Sequence, residues 1–146
     1  MWREMILALH LQYTLFDPAT PSQINELEAI FGVPLPEHLK SLLFESNGVK
    51  NSYGLSVIWN IEEIKTTNLI MRNDEIFRDN FMSLDSLLFF GSDIAGDCYG
   101  YAITGTHILR SSEIFNWCHE TDERRIIANS LKDYLESALE DAMPSN

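Results

Sequence analysis

Apolar residues alternate with small or polar ones most clearly over residues 87–103, and this pattern predicts a β-hairpin at the centre of the fold. The apolar run that begins at Leu87 ends at Gly91, and a turn-like segment follows it. Beyond that turn, the bulky side chains share one face of the second strand: Tyr99, Tyr101 and Ile103. The positions between them carry small residues: Cys98, Gly100 and Ala102. Small side chains allow a close neighbour, so we expect a helix to cover their face.

Helical spacing of apolar residues predicts three helices in the first third of the chain. The first spans residues 2–11. The second begins after Thr20, which is suited to cap it, and ends at Gly32, because glycine readily adopts the left-handed conformation. Pro36 opens the third helix, which ends before residues 47–48.

The remaining pattern predicts two further helices and several strands. Asn60, with Glu63 three residues later, forms a capping box at the start of a fourth helix. We expect a last helix from about Thr121 to Met143, because an apolar stripe runs along this stretch: Ile127, Leu131, Tyr134, Leu135, Ala138 and Leu139. Strands are expected over three other segments, at residues 53–59, 107–110 and 114–119. Residues 73–86 are interpreted as a surface loop pinned by aromatic side chains.

This order of elements, with helices first, then consecutive strands and then a helix, predicts an α+β fold. We expect a largely antiparallel sheet with helices packed on one side. A chain of 146 residues is long enough for one hydrophobic core and short for two. We therefore interpret residues 1–146 as a single domain with its core between about residues 20 and 140.

The net charge of −12, from 22 acidic and 10 basic residues, is the most informative bulk property. Proteins that bind nucleic acid directly gain affinity from Lys and Arg, so this composition argues against direct DNA or RNA binding. The same charge speeds encounter with a basic partner protein. The alternative is that the acidity only keeps the chain soluble.

The sequence shows no export signal and no membrane-spanning segment. The apolar centre of residues 2–11 is interrupted by Glu4 and His10, and no stretch approaches the roughly 20 apolar residues of a spanning helix. The two cysteines, Cys98 and Cys118, lack the spacing of a metal site and are interpreted as buried thiols in a reducing cytoplasm. A disulfide between these two cysteines is the alternative.

No recognisable catalytic or metal-binding motif occurs in the chain. Asp93 and Asp97 offer oxygen ligands for a hard cation, but acidic residues beside Gly96 are equally typical of a turn. Cys118 and His119 are adjacent on a predicted strand, so they point to opposite faces and do not suggest a catalytic pair. We expect no cofactor and no enzymatic activity.

Three short motifs occur in order between about residues 20 and 140. The first combines Leu35-Pro36 with Asn47-Gly48 after a helix. The second is the hairpin signature Phe90-Gly91-Ser92-Asp93 followed by Gly96-Asp97 and Tyr99. The third comprises Ile114, Trp117, His119-Glu120 and Asp122. Their order and spacing together resemble the SUKH superfamily, in its branch of Smi/Knr-like proteins.

For bacterial members, this resemblance implies an immunity protein that binds and neutralises a cognate toxin, often a basic nuclease. Acidic groups would then pair with Lys and Arg of the toxin, and we expect them to include Asp93, Asp97, Glu120, Asp122 and Glu123. Trp117 is the expected aromatic anchor, although tryptophans are more often part of a core. Residues 122–125 are more typical of a solvated helix start than of a binding site. The pattern leaves a monomer and a homodimer open.

Two other functions stay open as alternatives. The chain would be a regulatory scaffold if it binds host proteins in the manner of the fungal relatives. It would be a small acid/base hydrolase if Asp93, Asp97 and His119 converge in one pocket.

Overall fold

The computed structural model describes residues 1–9, 12–104, 107–109 and 112–141, which form one α+β domain. Its elements, in chain order, are helix α1 (Trp2–Leu9), strand β1 (Thr14–Leu15), helices α2 (Pro21–Phe31) and α3 (Glu37–Glu45), strands β2 (Val49–Lys50) and β3 (Ser56–Ile58), helices α4 (Ile61–Asn73) and α5 (Glu75–Asn80), a short 3-10 helix (Leu84–Ser86), strands β4 (Leu87–Ser92), β5 (Cys98–Thr104), β6 (His107–Leu109), β7 (Ile114–Trp117) and β8 (Arg124–Ala128), and helix α6 (Leu131–Asp141).

The capping signals of the sequence set the starts of α2 and α4. The Thr20 hydroxyl accepts a hydrogen bond from the Gln23 N–H, and the Gln23 side chain accepts one from the Thr20 N–H. Asn60 and Glu63 form the same reciprocal pair in front of α4. Gly32 ends α2 at φ 69°, a left-handed conformation that a side chain with a Cβ disfavours. The predicted boundaries of both helices at these residues are confirmed.

The strands form two antiparallel sheets. Strands β1, β2 and β3 make the smaller sheet, in that order. The larger sheet has the order β4-β5-β7-β8, and β6 pairs with the end of β5. The predicted central hairpin is β4 and β5, with Phe89 opposite Gly100 and a register shift between Phe89 and Gly91. The α+β class and the largely antiparallel pairing are confirmed.

Gly91 lies where the two sheets meet. The Trp59 N–H donates to the Phe90 carbonyl at 2.7 Å, which joins the end of β3 to β4. The hydroxyl of Tyr134 on α6 donates to the Val57 carbonyl at 2.8 Å. A Cβ at Gly91 would lie within 2.3 Å of that same carbonyl oxygen, so only glycine allows this approach.

Helices cover both faces of the larger sheet, whereas the sequence pattern had placed them on one side. Tyr134 of α6 packs against Tyr99 and Phe90, with ring centroids 5.1 and 5.2 Å apart. On the opposite face, Phe81 at the end of α5 packs edge-on against Trp117, with centroids 5.0 Å apart. The expected helical cover over the small residues of β5 is therefore present. The opposite face, which carries Tyr99, is covered by a helix as well.

The prediction for the last helix is wrong over its first ten residues. Residues Arg124–Ala128 form strand β8, which pairs antiparallel with β7, and α6 begins only at Leu131. The side chain of Ser130 accepts a hydrogen bond from the Asp133 N–H and caps the helix there. Ile127 therefore belongs to the sheet, while Leu131, Tyr134 and Leu135 are buried as predicted. Met143 and the side chain of Leu139 lie outside the described residues.

Two other segments differ from the sequence pattern. Residues 73–86 contain helix α5 and the 3-10 helix in place of a loop, because Asp74 caps α5 by accepting from the Ile76 N–H. The strand expected over residues 53–59 is confined to Ser56–Ile58, since Asn51 holds the preceding turn through the N–H groups of Tyr53 and Leu55. The first helix ends at Leu9 and its predicted last two residues lie outside the described range.

Candidate functional site

Two loops that carry the predicted acidic residues meet at one end of the larger sheet. The first joins β4 to β5 and the second joins β7 to β8. The Asp97 carboxylate lies 2.9 Å from Nδ1 of His119, and the imidazole packs over Gly96. We call these two loops the acidic loops. Their acidic residues are Asp93, Asp97, Glu120, Asp122 and Glu123.

Asp93 organises the first loop. Its carboxylate accepts hydrogen bonds from the N–H groups of Ala95 and Asp97, each at 3.0 Å, and from the Tyr99 hydroxyl at 2.8 Å. Burial and this contact with Asp93 raise the pKa of Tyr99. The turn interpretation of Asp93 is therefore the one that its contacts support.

Asp97 connects the two loops. Burial alone would raise the pKa of Asp97, but hydrogen bonds from the His119 side chain, the His119 N–H and Asn116 outweigh it and hold that pKa below its usual value. The carboxylate therefore stays ionised at neutral pH and ties the end of β7 to the first loop.

Asp122 and Trp117 hold the second loop from inside. Asp122 has a left-handed backbone conformation, at φ 63°, and its carboxylate accepts from Trp117 Nε1 at 2.7 Å and from the Met82 N–H at 2.9 Å. Arg124 donates to the same carboxylate at 3.0 Å. Although burial opposes ionisation, these hydrogen bonds and the nearby guanidinium lower the pKa of Asp122.

Trp117 is a core residue and is not placed to act as an exposed aromatic anchor. Only 2% of its surface is accessible, and it packs between Phe81 and Phe89. The expectation that it contacts a partner is corrected accordingly. Its indole N–H donates to the Asp122 carboxylate, so the polar group of this buried tryptophan has a hydrogen-bond partner.

Glu120 and Glu123 are the acidic side chains of these loops that remain exposed. The side chain of Glu120 is 77% accessible, with its carboxylate 3.9 Å from Nε2 of His119. Glu123 is exposed as well, while its backbone carbonyl accepts from the Cys118 N–H and closes the turn. The structure thus divides the predicted set into three aspartates that shape the loops and two glutamates that face solvent.

A cleft of about 760 Å³ opens beside the acidic loops, on the Tyr99 face of the sheet. Helix α6, the segment around Tyr53 and the first acidic loop form its walls. Arg125 and Ile127 of β8 form part of its floor. The sequence pattern missed these two residues because it assigned them to a helix. Ser130, followed by Asp133, was the capping signal that could have placed the helix start at Leu131 and so allowed a strand over residues 124–128.

The three groups of the hydrolase alternative do not share one pocket. Asp93 and Asp97 line the cleft, while His119 lines a separate apolar groove of about 420 Å³ on the opposite face, beside Cys98 and Trp117. Burial, with a smaller effect of Asp93 and Asp97, raises the pKa of Cys98 to about 12, so its thiol is not a ready nucleophile.

Metal and disulfide sites can be assessed only in the part of the chain that the structure describes. There, no group of three or more His, Cys, Asp or Glu side chains is placed to hold a metal ion. Cys98 and Cys118 are both free, so the disulfide alternative does not hold in this structure. None of the described helices has the length and apolar character needed to cross a membrane.

Comparison with known proteins identifies a family whose model matches most of the chain. The model of the SMI1 / KNR4 family (SUKH-1) matches residues 18–137, which include every element from α2 to most of α6. No curated protein matches the chain significantly.

Proposed function

The chain belongs to the SMI1 / KNR4 family (SUKH-1), and from this membership we propose that it is an immunity protein that binds and neutralises a cognate toxin. Members of the family are generally non-enzymatic immunity or regulatory proteins, and they bind partner proteins. The proposed toxin is a basic nuclease. Since such a toxin acts on nucleic acid inside the cell, the proposal places the chain in the cytoplasm.

The exposed pair Glu120 and Glu123 carries this proposal. Both side chains face solvent at one end of the sheet, on a chain whose net charge is −12. A nuclease presents Lys and Arg to bind phosphates, and exposed carboxylates can pair with the same cations. Attraction between the two surfaces speeds association and selects a basic partner.

The aspartates of the acidic loops support the proposal by fixing the loops before binding. Asp93, Asp97 and Asp122 accept hydrogen bonds from both acidic loops, from β5, β7 and β8, and from the segment at Met82, so their loops are ordered in the free protein. A preformed surface loses less conformational entropy when a partner binds, which favours affinity. Under this proposal, substitution of these aspartates acts mainly through loop geometry, and substitution of the glutamates acts mainly through charge.

Co-expression with the neighbouring gene tests the function directly. The C-terminal domain encoded beside this chain is expressed in a bacterium alone and together with the chain, and growth and co-purification are measured. Rescue of growth with a stoichiometric complex is the expected result. Continued toxicity without a complex would reject this domain as the cognate toxin. It would favour the regulatory scaffold, which predicts a binding partner that is not toxic.

A further inference from the structure

The first edge of the larger sheet, at β4, is closed by other parts of the chain. The Asn68 carboxamide donates to the Phe89 carbonyl and accepts from the Phe89 N–H, both at 2.9 Å. Arg72 donates to the Leu87 carbonyl at 2.9 Å, and the Trp59 N–H donates to the Phe90 carbonyl. These contacts leave little of the β4 edge for another strand to pair with.

The opposite edge, at β8, is open. Among the described residues, β8 pairs with β7 and with no other strand. Its three central residues, Arg125, Ile126 and Ile127, are all exposed, and the two isoleucines are 42% and 40% accessible. An edge strand with free N–H and C=O groups is a template for a further strand, especially when its side chains are apolar.

Length distinguishes β8 from the other edges of the two sheets. It has five residues, whereas β1 has two and β6 has three. A short edge offers few backbone hydrogen bonds and specifies the register of an added strand poorly. Strand β8 is therefore the edge best suited to bind an extended segment.

The charges around β8 favour a basic partner over a second copy of this chain. Glu123 directly precedes the strand and Glu120 lies in the same loop, while Arg124 is neutralised by Asp122 at 3.0 Å. Arg125 is an exposed cation on the strand itself, so the two glutamates leave one net negative charge at this edge. Two copies would each carry a net charge of −12 and would repel one another. A segment with Lys or Arg beside Glu123 would instead be attracted.

We propose that the partner binds by adding an extended segment to the open edge of β8. The segment places apolar side chains along Ile126 and Ile127, and a Lys or Arg beside Glu120 and Glu123. Side chains that point to the Tyr99 face of the sheet reach the cleft, whose floor already includes Arg125 and Ile127. This inference rests on the proposed function and names the surface through which it acts.

Backbone hydrogen exchange tests the strand addition in the full chain. NMR follows the amides of β8 with and without the C-terminal domain encoded by the neighbouring gene. We expect amides on the open edge of β8 to exchange at least about tenfold more slowly in the complex, because a backbone partner then protects them. Amides near Phe89, at the closed edge, should change little.

A matched pair of variants gives a second readout. Ile126→Lys places a cation on the edge strand, and Ile76→Lys makes the same change at an exposed isoleucine of α5 that is 69% accessible. We expect Ile126→Lys to weaken the complex at least about tenfold and Ile76→Lys to leave it within about twofold of the unchanged chain. Circular dichroism confirms that each variant is folded before binding is measured.

The outcomes separate the two proposals. A complex that forms without protection of β8, and that tolerates Ile126→Lys, overturns strand addition while the proposed function stands. In the absence of the toxin domain, protection of β8 that grows with the concentration of the chain would assign this edge to a second copy. That result also overturns strand addition by the toxin. A wild-type chain that binds no toxin rejects the proposed function, and strand addition by that partner is rejected with it.

Discussion

The carboxamide of Asn68 forms two hydrogen bonds with the backbone of Phe89, both at 2.9 Å. Its oxygen accepts from the Phe89 N–H, and its NH₂ group donates to the Phe89 carbonyl. Asn68 is only 1% exposed and lies on α4, whereas Phe89 lies in the middle of β4. The side chain thus replaces the backbone of a neighbouring strand. It satisfies a buried N–H and C=O that would otherwise have no partner, and it fixes α4 against the sheet.

We therefore expect Asn68→Ala to lower the free energy of unfolding by about 2–4 kcal/mol, because it leaves both backbone groups of Phe89 buried and unpaired. Urea unfolding followed by circular dichroism measures the effect. Asn73→Ala is the matched control, since Asn73 also donates to a helix carbonyl but is exposed. Its effect should stay within about 0.5 kcal/mol. Equal losses in the two variants would contradict the role assigned to Asn68.

Gly91→Ala should destabilise the junction of the two sheets by at least about 2 kcal/mol, because the new Cβ would meet the Val57 carbonyl oxygen at 2.3 Å. The second closest atom is the Tyr134 hydroxyl, at 2.9 Å. Adding Tyr134→Phe should not restore stability, since the backbone clash remains and the Val57 carbonyl loses its donor. Thermal unfolding of the single and double variants checks this, and rescue by the second substitution would show that the clash is with the side chain.

Stability should fall in acid as the acidic loops lose their internal bonds. The pKa values of Asp97 and Asp122 are lowered in the folded protein, so each contributes stability above its unfolded pKa of about 4, and that contribution is lost as pH falls through the lower folded pKa. Unfolding in urea between pH 2 and 7 should therefore show a smaller acid dependence for Asp122→Asn than for the unchanged chain. Asp79→Asn, at an exposed position of α5, should keep the full dependence. Parallel curves for all three proteins would exclude this origin of the acid sensitivity.

Under the proposed function, the double variant Glu120→Gln and Glu123→Gln should slow association with the toxin domain about two- to tenfold at low salt, with little change in stability. The control is the double variant Glu4→Gln and Glu37→Gln, which removes the same total charge from exposed positions of α1 and α3. Stopped-flow association at low and high ionic strength measures both. The difference in association rate between the two double variants should shrink at high salt, because exposed charges are then screened. Equal slowing by the two variants would mean that only the net charge matters.

The helix boundaries that were predicted well depend on contacts between near neighbours. Thr20 and Gln23, and Asn60 and Glu63, satisfy one another across three residues, so the reason for each helix start is contained within the segment. Position 32 likewise needs only its own φ of 69°, which glycine adopts at little cost. Local chemistry of this kind is visible in a sequence before any tertiary contact is known.

Strand β8 shows where that local information was insufficient. Residues 121–123 look like the start of a helix, and Ile127 fits the apolar stripe of α6. In the fold, Asp122 takes a left-handed turn that Trp117, Met82 and Arg124 support from other segments. Pairing with β7 then holds residues 124–128 extended. Tertiary contacts therefore override a helical pattern in which the cap at Ser130 is the local sign of a later helix start.

Periodicity, capping and composition were enough to predict the α+β class, the central hairpin, the capped helices and the concentration of acidic residues near positions 93–97 and 120–123. Long-range contacts were needed to turn three aspartates inward while Glu120 and Glu123 face solvent, and to bury Trp117. They also close one sheet edge with Asn68, whereas β8 has β7 as its one strand partner among the described residues. These features depend on which distant segment supplies each hydrogen-bond donor, and no local pattern specifies that donor.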